Sequence, residues 1–259
     1  MTLVQEQPKT VGAKKLEGKV ALVTGGSRGI GAAIALRLAA DGATVALTYS
    51  NSRDAADKLV KEIEALGSKA IAVKANVDSE ADSANLVKEI NKSFGKIDIL
   101  VNNAGVFDGG PIDQVELSQY DKIFNVNVKG LIATTIAALP QFNDGGRIIN
   151  ISSGAATMTM AGYSIYSASK AAVDTLTRIW AQDLGKRQIT VNTVSPGTTQ
   201  TDMFNAAIPA EAHASMAEKT ALGRIGQPAD IADVVAFLAS HDARWITGKV
   251  IGADGGITI

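Results

Sequence analysis

The chain has 259 residues, 46% of them hydrophobic, and 25 basic against 26 acidic side chains give it a formal net charge of −1. That balance excludes the basic footprint of a nucleic-acid or membrane-surface binder, and the length fits one α/β domain or two small ones. With no cysteine and only two histidines, His213 and His241, there is no disulfide framework, no thiolate nucleophile and no cysteine-based zinc site to expect, and little basis for histidine catalysis; no metal is expected.

In chain order, residues 1–16 are polar and mixed in charge, lack the apolar core of a signal peptide, and read as a flexible arm ahead of one domain over residues 17–259. No run reaches the ~18 consecutive apolar residues of a transmembrane helix, so no membrane span and a cytoplasmic location are expected. Residues 20–24 form an apolar run of strand length, Gly25-Gly26-Ser27-Arg28-Gly29-Ile30-Gly31 follows at once, and residues 29–40 read as a helix. Strand, glycine turn and helix make the setting of a phosphate-binding loop, in which backbone N–H groups and a helix N-terminus meet a pyrophosphate. The loop lacks the Gly-Lys-Ser/Thr ending of a nucleotide hydrolase.

A strand over 44–49 leads to Ser50-Asn51-Ser52-Arg53 and a helix over 54–66; a strand over 70–75 leads to Asn76-Val77 and a helix over 79–94. The strand over 99–102 runs into Asn103-Ala104-Gly105, and a long helix over 118–139 contains Asn127. The strand over 147–151 ends at Ser152 and Ser153, ahead of a helix over 164–185. A strand over 189–194, the turn Pro196-Gly197, a helix over 228–240 with Asp230 in its first turn and a strand over 250–252 complete the pattern. Gly42, Gly67 and Gly95 follow their helices, where a C-terminal cap favours glycine. Alternation to the end of the chain predicts a single α/β domain on a parallel sheet. Ligands of such sheets bind beyond the C-terminal strand ends, and every motif above falls there.

Tyr166 and Lys170 lie one turn apart on the helix over 164–185, hence on one face. An ammonium beside a phenol is expected to lower its pKa from the usual ~10 and fit it for proton transfer. Tyr163 has Ser167 four residues on, which leaves Tyr166 as the candidate. A serine hydroxyl from Ser152 or Ser153 would orient a carbonyl oxygen. No carboxylate closes the strand over 44–49; Tyr49, Ser50, Asn51 and Ser52 stand there, with Arg28 in the loop. An acidic residue at that place would bind the ribose 2′-hydroxyl of NAD, whereas a guanidinium suits a 2′-phosphate, so NADPH is expected over NADH.

Thr24-Gly25-Gly26-Ser27-Arg28-Gly29-Ile30-Gly31, Asn102-Asn103-Ala104-Gly105, Asn127, Ser153, Tyr166 with Lys170, and Pro196-Gly197 together resemble, in order and spacing, the short-chain dehydrogenase/reductase family. Within it the chain is most similar to bacterial ketone and 3-oxoacyl-carrier-protein reductases and fungal hydroxynaphthalene reductases. The resemblance implies a Rossmann-type doubly wound sheet of seven strands in the order 3-2-1-4-5-6-7. It implies catalysis by Asn127, Ser153, Tyr166 and Lys170, with Tyr166 as acid, Ser153 orienting the carbonyl, and a kink at Asn127 holding a water in a proton relay from Lys170. Cofactor contacts are implied at Gly25, Ser27, Arg28, Gly29, Ile30 and Gly31, at Tyr49 to Ser52, at Asn76 and Val77, and at Asn103, Ala104 and Gly105. Further contacts are implied at Tyr166, Lys170, Pro196, Gly197, Thr199 and Thr201. Asn76 departs from the family's usual aspartate, which puts its adenine contact in doubt.

Residues 198–222 correspond to a substrate lid, for a small-molecule ketone or alcohol, or an acyl thioester in the carrier-protein alternative. The helices over 118–139 and 164–185, apolar on more than one face, correspond to a dimer contact within a homotetramer. Competing readings are an NAD-linked sugar or steroid alcohol dehydrogenase and an NADP-sensing regulator without turnover.

Overall fold

The computed structural model describes residues 14–258. The first strand, β1 (Val20–Val23), is buried along its whole length, as an apolar run covered by helices on both faces must be. After it come α1 (Gly29–Ala40), β2 (Thr44–Tyr49), α2 (Arg53–Ala65), β3 (Ala70–Lys74), α3 (Glu80–Phe94) and β4 (Ile97–Asn102). The second half runs α4 (Leu117–Phe124), α5 (Leu131–Ala138), β5 (Phe142–Ile151), α6 (Ser164–Asp183) and β6 (Thr190–Pro196). Short α7 (Asp202–Ala207) and α8 (His213–Glu218) precede α9 (Pro228–Ala239) and β7 (Val250–Ala253).

The seven strands form one parallel sheet in the order β3-β2-β1-β4-β5-β6-β7, as the resemblance implies. Period-two alternation splits each strand between two cores. Ala21 and Val23 of β1 join Ile34 and Leu38 of α1 and Ile231 and Val235 of α9 on one side. Val20 and Leu22 join Leu86 and Ile90 of α3 and Ala181 of α6 on the other.

The expected helix over 118–139 is not one α-helix. Residues Asn125–Gly130 wind as a π-helical stretch between α4 and α5, a distortion that tends to mark functional positions. Gly130 ends the stretch against Val77, whose Cγ2 would lie 2.8 Å from a Cβ placed there. Among the described residues, the helical run Leu117–Gln141 is the one long and apolar enough to span a membrane, with a mean hydropathy of 1.3. The run packs against α3 and α6 within the domain.

Strand β4 begins at Ile97, two residues earlier than the apolar run suggests, with a register shift between Ile97 and Ile99. The buried Asp98 accounts for it. One oxygen accepts the Val20 N–H at 2.9 Å, and the other accepts from Lys19 Nζ at 3.2 Å and Asn143 Nδ2 at 3.1 Å. A carboxylate thus supplies the partner that a regular ladder would have offered, so its burial is compensated.

Of the expected arm, residues 1–13 lie outside the described residues. Its last residue is not loose: Leu16 is buried in the core and its N–H donates to the Asp41 carbonyl at 2.8 Å, so the packed domain begins inside the arm's expected bounds. Between α8 and α9, Arg224 grips Asp230, in the first turn of α9, with two bonds of 2.7 and 2.8 Å. That pairing, and the Gln227 N–H, hold the Asp230 carboxyl at about 2.

Candidate active site

Gly25 and Gly29 take φ of 60° and 56°, which L side chains rarely adopt. Gly31 is required by close approach: a Cβ there would lie 2.5 Å from Asn103 Nδ2 and closer still to the Gly25 carbonyl. Asn103 spends both amide protons on the loop, at 2.9 Å to the Thr24 carbonyl and 3.0 Å to that of Gly25. The Thr24 hydroxyl accepts the N–H groups of Asn103 and Ala104, each at 3.0 Å, and the Thr48 hydroxyl accepts that of Gly25 at 3.0 Å. Gly25, Asn103 and Ala104 therefore shape the loop. Open donors lie at the start of α1, where Arg28 is the N-cap, makes no side-chain cap bond, and no acidic residue occupies the first turn. First-turn N–H groups of Gly29, Ile30 and Gly31, next to Ser27, could therefore hold an anion.

Around this loop, Tyr49 closes β2 nearly buried, Ser50 and Asn51 are exposed, and Ser52 heads α2 without a side-chain cap bond. Arg28 is exposed on the loop, while the neighbouring Arg53 faces Asp57 at 3.4 Å. Asn76 is exposed and its N–H donates to Asp82 at 2.9 Å; Val77, expected on the cofactor, is buried against Gly130. Pro196 ends β6, and Gly197 leaves no room for a Cβ, which would meet Asp254 at 2.8 Å. Thr199 donates to the Gly197 carbonyl at 3.0 Å. Thr201 caps α7 by accepting the Phe204 N–H at 3.2 Å. Its methyl would touch a Cβ on Gly29 at 3.5 Å, so the segment after β6 passes over the glycine loop.

Tyr166 lies in the first turn of α6, and the nearby Ser153 side chain favours its ionised form. Ser153 in turn accepts the Ala155 N–H at 3.2 Å. Ser152 is turned away and donates to the Lys170 carbonyl at 3.1 Å, which separates the two serines the sequence left side by side. Lys170 is buried, donates from Nζ to the Ile151 carbonyl at 3.0 Å, and stands 5.8 Å from the centre of the Tyr166 ring. Burial pulls its pKa down to about 8, against the opposing charge of Asp174.

The expected lowering of Tyr166 by Lys170 is not what this structure has. Burial raises the phenol, the neighbouring Ser153 offsets part of that, and Tyr163 adds to the rise. The reason is direction: the ammonium points to a carbonyl and not to the phenol oxygen.

Asn127 sits in the π-helical stretch, 2% exposed. Its Oδ1 accepts the Val106 N–H at 2.8 Å, and its Nδ2 donates to the Val106 carbonyl at 3.0 Å and Ser169 Oγ at 3.1 Å. A Cβ on Gly105 would lie 3.3 Å from Asn127 Oδ1 and 3.4 Å from Lys170 Nζ. The turn after β4, the π-helical stretch and α6 therefore converge on one point. Sequence reasoning missed Thr48 and Ser169, whose only signal is a hydroxyl in an apolar strand or helix face. It also missed Phe107, whose ring stands 5.1 Å from that of Tyr166.

A family model described as enoyl-(acyl carrier protein) reductase matches residues 25–258. A short-chain dehydrogenase of Burkholderia cenocepacia, solved in complex with NADP, superposes with a TM-score of 0.89 at 46% identity, over 95% of this chain and 100% of that one. The chain belongs to the short-chain dehydrogenase/reductase family. It is accordingly an oxidoreductase. Relatives in the family include an uncharacterized oxidoreductase of Methylorubrum extorquens, 48% identical over 94% of this chain and 99% of that protein. Versicolorin reductase 1 of Aspergillus parasiticus is 43% identical over 93% of this chain and 97% of its own length.

Proposed function

We propose that the protein reduces a ketone to a secondary alcohol at the expense of NADPH. The observation that carries this is the Ser153–Tyr166 hydroxyl pair with buried Lys170, set beside an uncapped glycine-loop helix. The residues fit a dinucleotide: positive-φ glycines give backbone room, the first turn of α1 offers unclaimed donors, and no carboxylate guards the end of β2. The NADP of the Burkholderia relative supports the same cofactor. A reduced nicotinamide held there supplies the hydride. The Ser153 and Tyr166 hydroxyls hold the carbonyl oxygen and polarise it as negative charge develops. Tyr166, kept protonated by burial, donates its O–H proton to that oxygen. Lys170 contributes positive charge to the site while protonated, and Asn127 holds Val106 and Ser169 around it.

Turnover of NADPH with a ketone panel, followed by absorbance, tests the reading. The panel includes an acetoacetyl thioester for the carrier-protein alternative and a crotonyl thioester for the enoyl reduction named by the family model. Ketone turnover supports the proposal, and oxidation confined to the crotonyl thioester overturns it.

Arg28 is assigned to the 2′-phosphate. Arg28→Ala is expected to raise KM for NADPH on the order of tenfold, the worth of a hydrogen bond to a charged group, and to leave KM for NADH nearly unchanged. Equal losses with both cofactors would show that Arg28 does not read the phosphate.

A pH dependence follows from Lys170. A buried ammonium gives up its proton earlier than a free one, at about 8, so ketone reduction is expected to hold through neutral pH and fall above that value. A kcat/KM profile flat across the alkaline range removes Lys170's charge from the mechanism.

Self-association belongs to the same reading. Ile136 on α5 and Ile179 on α6 are 63% and 56% exposed, apolar side chains that a helix-to-helix contact between chains would cover. Light scattering is expected to give the mass of four chains; a monomer would refute the tetramer.

A further inference from the structure

Tyr166, Lys170, Asp174 and Arg178 recur at four-residue steps along α6, a spacing that sets them on one face. The chemistry above uses the first two. Asp174 is unused, yet it is buried behind them, 6% exposed against 5% for Lys170. Its Oδ1 is buried with no hydrogen-bond partner among the described residues. Buried polar groups are normally partnered, because an unpaired one costs stability. A carboxylate that only braced the fold would have both oxygens bonded, as Asp98 has. The fold therefore gains little from the charge of Asp174.

The position fits Lys170. Its ammonium donates to the Ile151 carbonyl, and the Ser152 hydroxyl holds the Lys170 carbonyl at 3.1 Å. An ammonium so deeply buried loses its proton early unless a negative charge stands near. Asp174 is the charge that opposes this loss, and Ser152, Arg178 and Lys170 in turn favour its carboxylate against burial. The other elements packed on α6 supply no substitute. Neither β6 nor the turn Gly154–Ala156 carries a charged side chain. Lys129 of the π-helical stretch faces Glu80 at 3.6 Å, Lys122 of α4 is engaged by Asp108 at 3.1 Å, and Asp121 is exposed. At the start of β5, Asp144 pairs with Arg187 at 2.8 Å, and Arg147 donates to the Gly145 and Gly146 carbonyls. Tyr163 and Tyr166 are kept as neutral phenols by burial.

We propose that Asp174 is a positioning residue that keeps Lys170 an ammonium beside Tyr166, and so sets the upper pH at which the site works. The charge pairing stands by itself; its effect on turnover rests on the carbonyl-reductase reading. Two measurements on the full chain test it. One is NMR titration of the lysine side-chain carbons without cofactor, with Lys170 assigned by its loss in Lys170→Met. The other is the pH profile of kcat/KM for NADPH-dependent ketone reduction.

Asp174→Asn keeps the shape and deletes the charge. Losing a negative neighbour disfavours the ammonium, so the Lys170 midpoint should fall by about one pH unit, the low end for a nearby opposite charge. The alkaline limb of kcat/KM should fall with it. The loss then grows with pH and reaches about fivefold near the wild-type midpoint of about 8. Asp174→Glu keeps the charge and should return both midpoint and limb toward wild type. Asp174→Ser, smaller and uncharged, should shift both as the amide does, and it repeats the comparison if Asp174→Asn does not fold. Lys170 midpoints that coincide in the wild type and the uncharged variants, or a loss of rate equal at every pH, overturn the inference and leave carbonyl reduction standing. A shifted midpoint in a protein that turns over no ketone sustains the charge pairing and overturns the reductase reading alone.

Discussion

Tyr166→Phe is expected to lower kcat for ketone reduction by about a thousandfold while leaving NADPH affinity within about twofold, because a positioned general acid contributes roughly 10²–10⁴-fold. The substitution deletes one oxygen. The ring keeps its edge-on contact with Phe107 and its place in the first turn of α6, so the fold has no reason to change. What disappears is the proton for the carbonyl oxygen. No substitute stands close by. The Tyr163 ring centre is 6.5 Å from that of Tyr166, and burial raises its pKa too. Ser153 alone would polarise the carbonyl without supplying a net proton. Fluorescence titration of NADPH beside steady-state turnover separates the two effects. Lost turnover with intact binding places Tyr166 in the chemistry. A variant with wild-type turnover removes it, and a protein that binds NADPH but turns over nothing before or after the change is the sensing regulator.

Much of this site was legible in the sequence because its causes are local. Strand, glycine turn and helix sit within residues 20–40, and the placement of Tyr166 and Lys170 on one face follows from helical periodicity alone. The sheet order came from the resemblance and not from any periodicity. What was not legible has tertiary causes. The π-helical stretch at Asn125–Gly130 follows from Asn127 binding Val106 and from Gly130 meeting Val77, contacts with segments 21 or more residues away. The early start and register shift of β4 follow from Asp98 capturing the Val20 N–H, 78 residues distant. Asn103 reads as a cofactor contact by motif, yet both its amide protons are committed to the glycine loop. Lys170 reads as the group that acidifies Tyr166, and only the position of the Ile151 carbonyl shows the ammonium turned elsewhere.

Gly31→Ala is expected to weaken NADPH binding by at least about tenfold and to cost about 1–3 kcal/mol of stability, the range for an extra methyl forced into a filled space. The glycine's freedom of φ is not the issue, since Gly31 is helical. Space is. A methyl at this position meets the Gly25 carbonyl and the Asn103 amide. The carbonyl is backbone, and the amide is pinned by its bonds to Thr24 and Gly25, so neither can swing aside as the tip of a flexible side chain would. Relief requires α1 to move off the loop. That motion carries the uncapped first-turn N–H groups away from the pyrophosphate position and strains the bonds that join the loop to β4. Stability and cofactor affinity should therefore fall together. Gly185→Ala is the control, because a Cβ there has nothing within 4 Å and lies far from the loop in sequence; it should leave both nearly unchanged. Urea denaturation and NADPH titration on the two variants decide the matter. A Gly31→Ala protein that binds NADPH like the wild type would show that the loop accommodates the methyl, and that the close contact of α1 on Gly25 does not set the cofactor site.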